Sequence, residues 1–278
     1  MGTSVERAAA TAAFFDLDKT LISRSSTLAF GPSFYRHGLI SRGDMVRGAV
    51  AQLLFRLSGA NHARMEKIRE QVSHACRDWP AERVADIVTR HLEELILPYV
   101  YPEARRLLSE HRGAGQDVVI VSTSGHEVVA PIGVLLGAVS VIATRMRIAD
   151  GRYTGEMDFY AYGEAKASQV RALAAERGYS LPDCYAYSDS VTDLPMLEVV
   201  GYPRAVNPDR ALRRIAVARG WPVLSFSERV TARDRRGRPP DRYRSQRECE
   251  TGDQSRSPID NAPTLCIAAD PSYKGLTD

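Results

Sequence analysis

The chain has 278 residues, of which 44% are hydrophobic, and a formal net charge of +3. That apolar share excludes a wholly disordered protein, and the length suits one large domain or two modest ones. From Arg229 onward lie ten of the 37 Lys+Arg and eight of the 34 Asp+Glu, leaving 27 against 26 before it, and a near-neutral body argues against nucleic acid or an anionic membrane as the main partner.

Ala12 to Leu17 (AAFFDL) is too short and too apolar for a helix and reads as a buried strand with Asp16 and Asp18 at its C-terminal end. Between Ser26 and about Tyr99 apolar residues recur at helical spacing, as in Met45, Ala49, Leu53 and Leu57, and again in Val84, Ile87, Val88, Leu92 and Leu95. Turn signals at His37-Gly38, Ser58-Gly59 and Trp79-Pro80 divide this stretch into roughly four helices, a small bundle. After Pro102 strands and helices alternate. A helix from Glu103 to His111 precedes the strand Asp117 to Ser122, and a helix from Glu127 to Leu136 precedes the strand Ala138 to Ala143. A β-hairpin is expected over Arg145 to Tyr160, turning at Asp150-Gly151. The helix Glu164 to Arg177, the strand Asp183 to Ser188, a helix through Val199 and a last strand-helix-strand ending near Phe226 complete the order.

This alternation predicts an α/β fold, a Rossmann-like doubly wound parallel sheet with its active groups at the strands' C-terminal ends. The helical bundle is inserted after the first strand. The expected boundaries are a core of residues 10–24 and 100–228, a helical cap of residues 25–99, and a tail of residues 229–278. The tail, beginning with the arginine-rich RRGRPPDRYRSQRE run, reads as disordered, with an anchor for nucleic acid or lipid as the other reading. Cys76, Cys184, Cys249 and Cys266 show no metal-ligand spacing and fit a reduced, cytoplasmic protein. No leader pattern opens the chain. The most apolar segment, Val128 to Ala143, falls short of the ~20 residues that span a bilayer, so no membrane span is expected.

Four short segments carry the chemistry. Asp16 and Asp18 stand one residue apart after a strand, where one carboxylate can attack phosphorus and the other handle the leaving group's proton. A turn or helix cap would use the same pair. Asp189 and Asp193, in YSDSVTD, suit Mg²⁺, which takes hard carboxylate oxygens, or else a helix start favoured by the dipole. Four-residue spacing is expected to put both on one helical face. Ser122, Thr123, Ser124 and Gly125 follow a β-branched strand and can cradle an anion, although such residues also cap helices routinely. Lys166 lies on a helix where a lysine is ordinarily solvated.

In order the segments read FFDLDKT, VIVSTSG, GEAKAS and YSDSVTD. Together they resemble the four motifs of the haloacid dehalogenase superfamily, over about Ala12 to Phe226, and the helical insertion resembles the C1 cap of its phosphoserine phosphatase-like branch (subfamily IB). The resemblance implies a Mg²⁺-dependent phosphatase acting on a small phosphorylated metabolite. It makes Asp16 the nucleophile that forms an aspartyl-phosphate and Asp18 the acid and then the base. Thr20 would support the loop and Asp18, and Thr20, Ser122, Thr123 and Lys166 form the phosphate-binding set. Metal ligands are drawn from Asp16, Asp18 (through its main-chain carbonyl), Asp189 and Asp193, the last positioning metal-bound water or Lys166. A phosphotransferase using the same intermediate, or a regulatory protein keeping the fold, are the alternatives.

Two positions depart from the family pattern. Ser188 stands where glycine usually precedes the first aspartate of the fourth motif. Ser25 stands nine residues after the nucleophile, where phosphoserine phosphatases carry a glutamate that reads the substrate's amino group, which speaks against phosphoserine. Phe30, Phe34, Tyr35 and Arg36 on the first cap helix are expected mainly to pack, with contact to a larger leaving group as the other reading.

Overall fold

In the computed structural model the described residues are 10–41, 43, 70–71 and 73–227. The helix expected around Met45 to Leu57 and the tail of residues 229–278 therefore lie outside the described residues. Among the described residues no helix is long and apolar enough to cross a membrane.

The strand Ala12–Phe15 (β1) is buried along its whole length, as a strand covered on both faces must be. Its side chains alternate between two apolar clusters: Ala13 and Phe15 face one, Ala12 and Phe14 the other. Six further strands follow: Asp117–Gly125 (β2), Ser140–Ala149 (β3), Arg152–Phe159 (β4), Tyr185–Ser188 (β5), Tyr202–Val206 (β6) and Val223–Leu224 (β7). They form one sheet in the order β4-β3-β2-β1-β5-β6-β7, parallel throughout except for the antiparallel β3-β4 pair. The chain thus builds outward in one direction through β2 and in the other through β5. β1 lies at the reversal, where a crevice opens beyond the carboxyl ends of the strands.

The sequence divides Ala138 to Ala143 from the hairpin that follows, but the structure joins them. One ten-residue β3 pairs with β2 through its first half and with β4 through its second. Nothing between Ala143 and Arg145 breaks an extended chain, so the strand runs on until Asp150 and Gly151, both at positive φ, turn it back.

Helices Ser26–Ala29 (α1), Gly31–Arg36 (α2) and Ala81–Ile96 (α3) belong to the insertion. Pro102–Gly113 (α4), His126–Leu136 (α5), Glu164–Arg177 (α6), Leu194–Glu198 (α7) and Arg210–Ala218 (α8) flank the sheet. Phe30, Phe34, Val84, Ile87 and Val88 share an apolar cluster with Phe15 and with Val128, Val129 and Ile132 of α5. Phe30 and Phe34 are therefore packing residues, and the described part of the insertion is seated on the sheet's own core. Gly133 marks one close approach of helix to sheet, since a Cβ there would stand 2.5 Å from Val141 Cγ1.

Candidate active site

Asp16 leaves β1 with its N–H donating to the Tyr187 carbonyl of β5, 2.9 Å away. The chain then turns tightly. The N–H groups of Leu21 and Ile22 both return to the Leu17 carbonyl, and Lys19 takes a left-handed φ of 67°. Such backbone is costly for a residue with a Cβ and is held only where the surroundings enforce it. The turn brings Thr20 back beneath Asp16, where its hydroxyl donates to Asp16 Oδ2 at 3.1 Å. The expected support of Asp18 by Thr20 is thus corrected: its single O–H is spent on Asp16.

Lys166 is the clearest departure from a solvated lysine. It is 1% exposed, and its Nζ donates to Asp16 Oδ1 at 2.9 Å and to Asp193 Oδ2 at 3.0 Å, with Asp193 Oδ1 also 2.9 Å away. A cation in the first turn of a helix opposes the helix dipole, so local preference does not place it there; the two carboxylates do. Burial alone would lower its pKa, and Asp16 and Asp193 overcome that and raise it. It remains an ammonium at any working pH.

Asp18 is held from two sides. The Ser26 N–H, at the start of α1, donates to its Oδ1 at 2.8 Å, and the Ser124 hydroxyl donates to its Oδ2 at 3.2 Å. Ser124 in turn accepts from the hydroxyls of Ser26 and Thr27, each at 3.0 Å. Burial raises the Asp18 pKa against the pull of these donors. Ser124 reaches this position because the β2-β3 register slips between Ser122 and Gly125, setting Thr123 and Ser124 outside the regular ladder. The sequence names Ser124 only as one small residue of a cradle; its contact with Asp18 depends on that bulge, which no pattern in the sequence signals.

The same bulge decides Ser122 and Thr123. Ser122 Oγ accepts the Ser124 N–H at 3.2 Å, and its own proton has no acceptor among the described residues. Thr123 donates instead to the Ala161 carbonyl at 2.8 Å, which ties the bulge to the segment leading into α6. The Thr123 hydroxyl is thus engaged within the protein, which leaves the main chain as the part of this residue that could face an anion.

Asp189 and Asp193 do not share a helical face. Asp189 lies in the loop after β5, and Asp193 ends a 3-10 turn, Val191–Asp193, that leads into α7. The Asp193 carboxylate takes Lys166 and the Ser188 hydroxyl, the latter at 2.8 Å. Its contact with Lys166 fits the expected positioning of that lysine, and the Asp18 side chain, held by Ser26 and Ser124, leaves its main-chain carbonyl as the group expected at a metal.

Asp16 and Asp189 remain as side-chain donors for a cation, and the fit is favourable. Burial pushes Asp16 up to about 7 against the pull of Lys166, with Asp193 and Asp18 adding to the rise, and burial followed by the charge of Asp16 pushes Asp189 up to about 8. Two acids that resist ionisation together in a buried crevice are what a hard divalent ion relieves. Among the described residues no three His, Cys, Asp or Glu side chains converge on one point. Mg²⁺ does not require that many, because waters and substrate oxygens complete its octahedron.

A profile of the haloacid dehalogenase-like hydrolases matches residues 13–198. The chain belongs to that family. Relatives extend the match over most of its length. It is 58% identical, over 81% of this chain and 82% of the relative, to an "inhibition of morphological differentiation protein" of Streptomyces azureus. To a probable phosphatase of Mycobacterium tuberculosis it is 53% identical, over 82% of this chain and 79% of that protein. Among solved structures, a protein of unknown function from Bordetella pertussis superposes with a TM-score of 0.68 at 30% identity. That superposition covers 79% of this chain and all of the other.

Proposed function

We propose that this phosphoric monoester hydrolase of the haloacid dehalogenase-like family cleaves a small phosphate monoester through an aspartyl-phosphate on Asp16, with Mg²⁺ as its cofactor. The observation that carries the reading is Lys166, sealed from solvent between Asp16 and Asp193. A buried ammonium fixed on a carboxylate at the mouth of a parallel sheet offsets the repulsion between an anionic nucleophile and an anionic phosphate.

Asp16 attacks phosphorus and the bond to the leaving oxygen breaks. Asp18, whose buried carboxyl retains its proton more readily than a solvated one, gives that proton to the departing alkoxide. Water then attacks the aspartyl-phosphate, Asp18 takes the proton back, and inorganic phosphate leaves. Thr20 and Lys166 keep the two Asp16 oxygens oriented, and the Ser122 hydroxyl, with its proton uncommitted, donates to a phosphate oxygen. Asp16 and Asp189, with the Asp18 main-chain carbonyl, would hold Mg²⁺, which when bound supplies positive charge to the phosphoryl oxygens.

The reading divides the chain into a core of residues 10–24 and 100–228, a cap of residues 25–99 and a tail of residues 229–278. The hydroxyls of Ser26 and Thr27 on Ser124 would join cap to core beside the acid. A cytoplasmic location agrees with Cys76 and Cys184 being free thiols. The deciding experiment is phosphate release from a broad panel of phosphorylated metabolites in the presence of Mg²⁺, with hydroxylamine added to trap the acyl-phosphate. Release from none of them would defeat the reading, and transfer to added alcohols in place of water would make the protein a phosphotransferase.

A further inference from the structure

Ser188 closes β5 and is wholly buried. Its Oγ donates to Asp193 Oδ2 at 2.8 Å and accepts the Ser190 N–H at 3.2 Å. Asp193 Oδ2 also receives Lys166 Nζ, and the same ammonium reaches Asp16. A line of contacts thus runs from Ser188 through Asp193 and Lys166 to Asp16. Glycine, which the family pattern usually places at this position, has no side-chain donor to begin such a line.

A terminal carboxylate turns easily about χ2, so one cation alone does not fix its plane. A second donor from a different element does. Ser188 comes from the sheet and Lys166 from α6, and between them they hold the Asp193 carboxylate from two directions. We infer that Ser188 is a positioning residue for Lys166: its hydroxyl locks Asp193, and Asp193 sets the ammonium against Asp16. This rests on the reading of Asp16 as nucleophile. The displacement that follows loss of the hydroxyl acts on charge developing during attack, so it registers in turnover more than in binding.

The test uses the full chain with p-nitrophenyl phosphate and titrated Mg²⁺. Ser188→Ala removes the hydroxyl alone, and Ser188→Gly removes it together with Cβ. Both variants should lose about tenfold in kcat, the scale of one hydrogen bond to a charged group, with KM and the half-saturating Mg²⁺ within about twofold of the parent. The thermal midpoints should fall by only several degrees, the scale of the same lost bond in a domain of this size. Turnover within about twofold of the parent in either variant would overturn the inference, as would a loss that appears in KM, in the Mg²⁺ requirement or only as unfolding at the assay temperature. The nucleophile reading fails separately, through persistent turnover of Asp16→Asn, whatever Ser188 does.

Discussion

The ammonium of Lys166 lies 2.9 Å from the carboxylate of Asp16, across 150 residues of sequence, and both side chains are buried. Removing one member of such a set strands the other in a medium that solvates it poorly. Lys166→Met keeps the volume and deletes the charge, so Asp16 and Asp193 lose their shared cation. The cost is about 3–5 kcal/mol of stability where both acids must ionise. Without the cation the folded-state pKa of Asp16, already above its unfolded value, rises further. The folded variant then binds more protons than its unfolded chain, and its stability falls as pH rises. Urea melts should accordingly show a small deficit near pH 5 and a larger one at pH 8. A pH-independent deficit would mean that Lys166 contributes packing rather than charge.

Asp16→Asn preserves shape but not nucleophilicity. Lys166 then keeps Asp193 and the amide oxygen as partners, and a buried like-charge repulsion is relieved, so the fold should persist with a thermal midpoint near the parent's. Turnover should fall by at least about 10³-fold, since the step that forms the covalent intermediate has no substitute. Mass spectrometry after rapid acid quench should find phosphorylated protein for the parent and none for the variant. Phosphorylation of the variant at another residue would displace Asp16 from the mechanism.

Much of this arrangement is legible in the sequence where local chemistry decides it. The bounds of α6 agree with the pattern because Gly163 and Gly178, both at positive φ, punctuate it at either end. The order of strands and helices follows from alternating periodicity, and Asp16, Asp18 and Asp189 follow the ends of strands as the pattern implies. What sequence does not show is where each proton goes. Thr20 serves Asp16 rather than Asp18, Thr123 serves Ala161, and Asp193 serves Lys166 and Ser188. These choices depend on rotamers and on a bulge that tertiary packing sets. Lys166 looks solvated for the same reason, because the groups that bury it are distant in the chain.

On the proposed reading of Asp189 as a metal ligand, its carboxyl sets the pH dependence of Mg²⁺ binding. Its carboxyl is pushed up to about 8 in the metal-free fold, chiefly by burial and then by Asp16, against an ordinary value of 3.8. Between those two values the folded metal-free protein holds a proton that the unfolded chain has released, so its stability declines as pH rises through the interval and levels off above about 8. Mg²⁺ must displace that proton, and below about 7 the one on Asp16 as well, so its affinity should rise most steeply up to about 7, by about tenfold per pH unit from there to about 8, and then flatten. Thermal melts with and without Mg²⁺ at pH 6 and pH 8.5 measure this: the stabilisation by Mg²⁺ should be larger at the higher pH. Asp189→Asn should remove both the stabilisation and its pH dependence. Equal stabilisation of parent and variant would take Asp189 out of the metal site.

Ser25 bears on which phosphate ester is cleaved. It precedes α1, one residue before the Ser26 N–H that holds Asp18. A serine hydroxyl offers an ammonium one neutral acceptor, whereas a carboxylate offers a charged one, a difference of about 1.5–3 kcal/mol for a desolvated contact. Phosphoserine should therefore fall roughly 10- to 100-fold below the best small phosphate monoester in kcat/KM, the kinetic equivalent of that missing contact. Ser25→Glu should recover part of the deficit for phosphoserine while lowering activity toward esters that carry no ammonium, because the added carboxylate repels an anionic ester that brings no cation to offset it. Competition assays with both substrates present read the ratio directly. A parent enzyme that prefers phosphoserine would show that another group binds the ammonium.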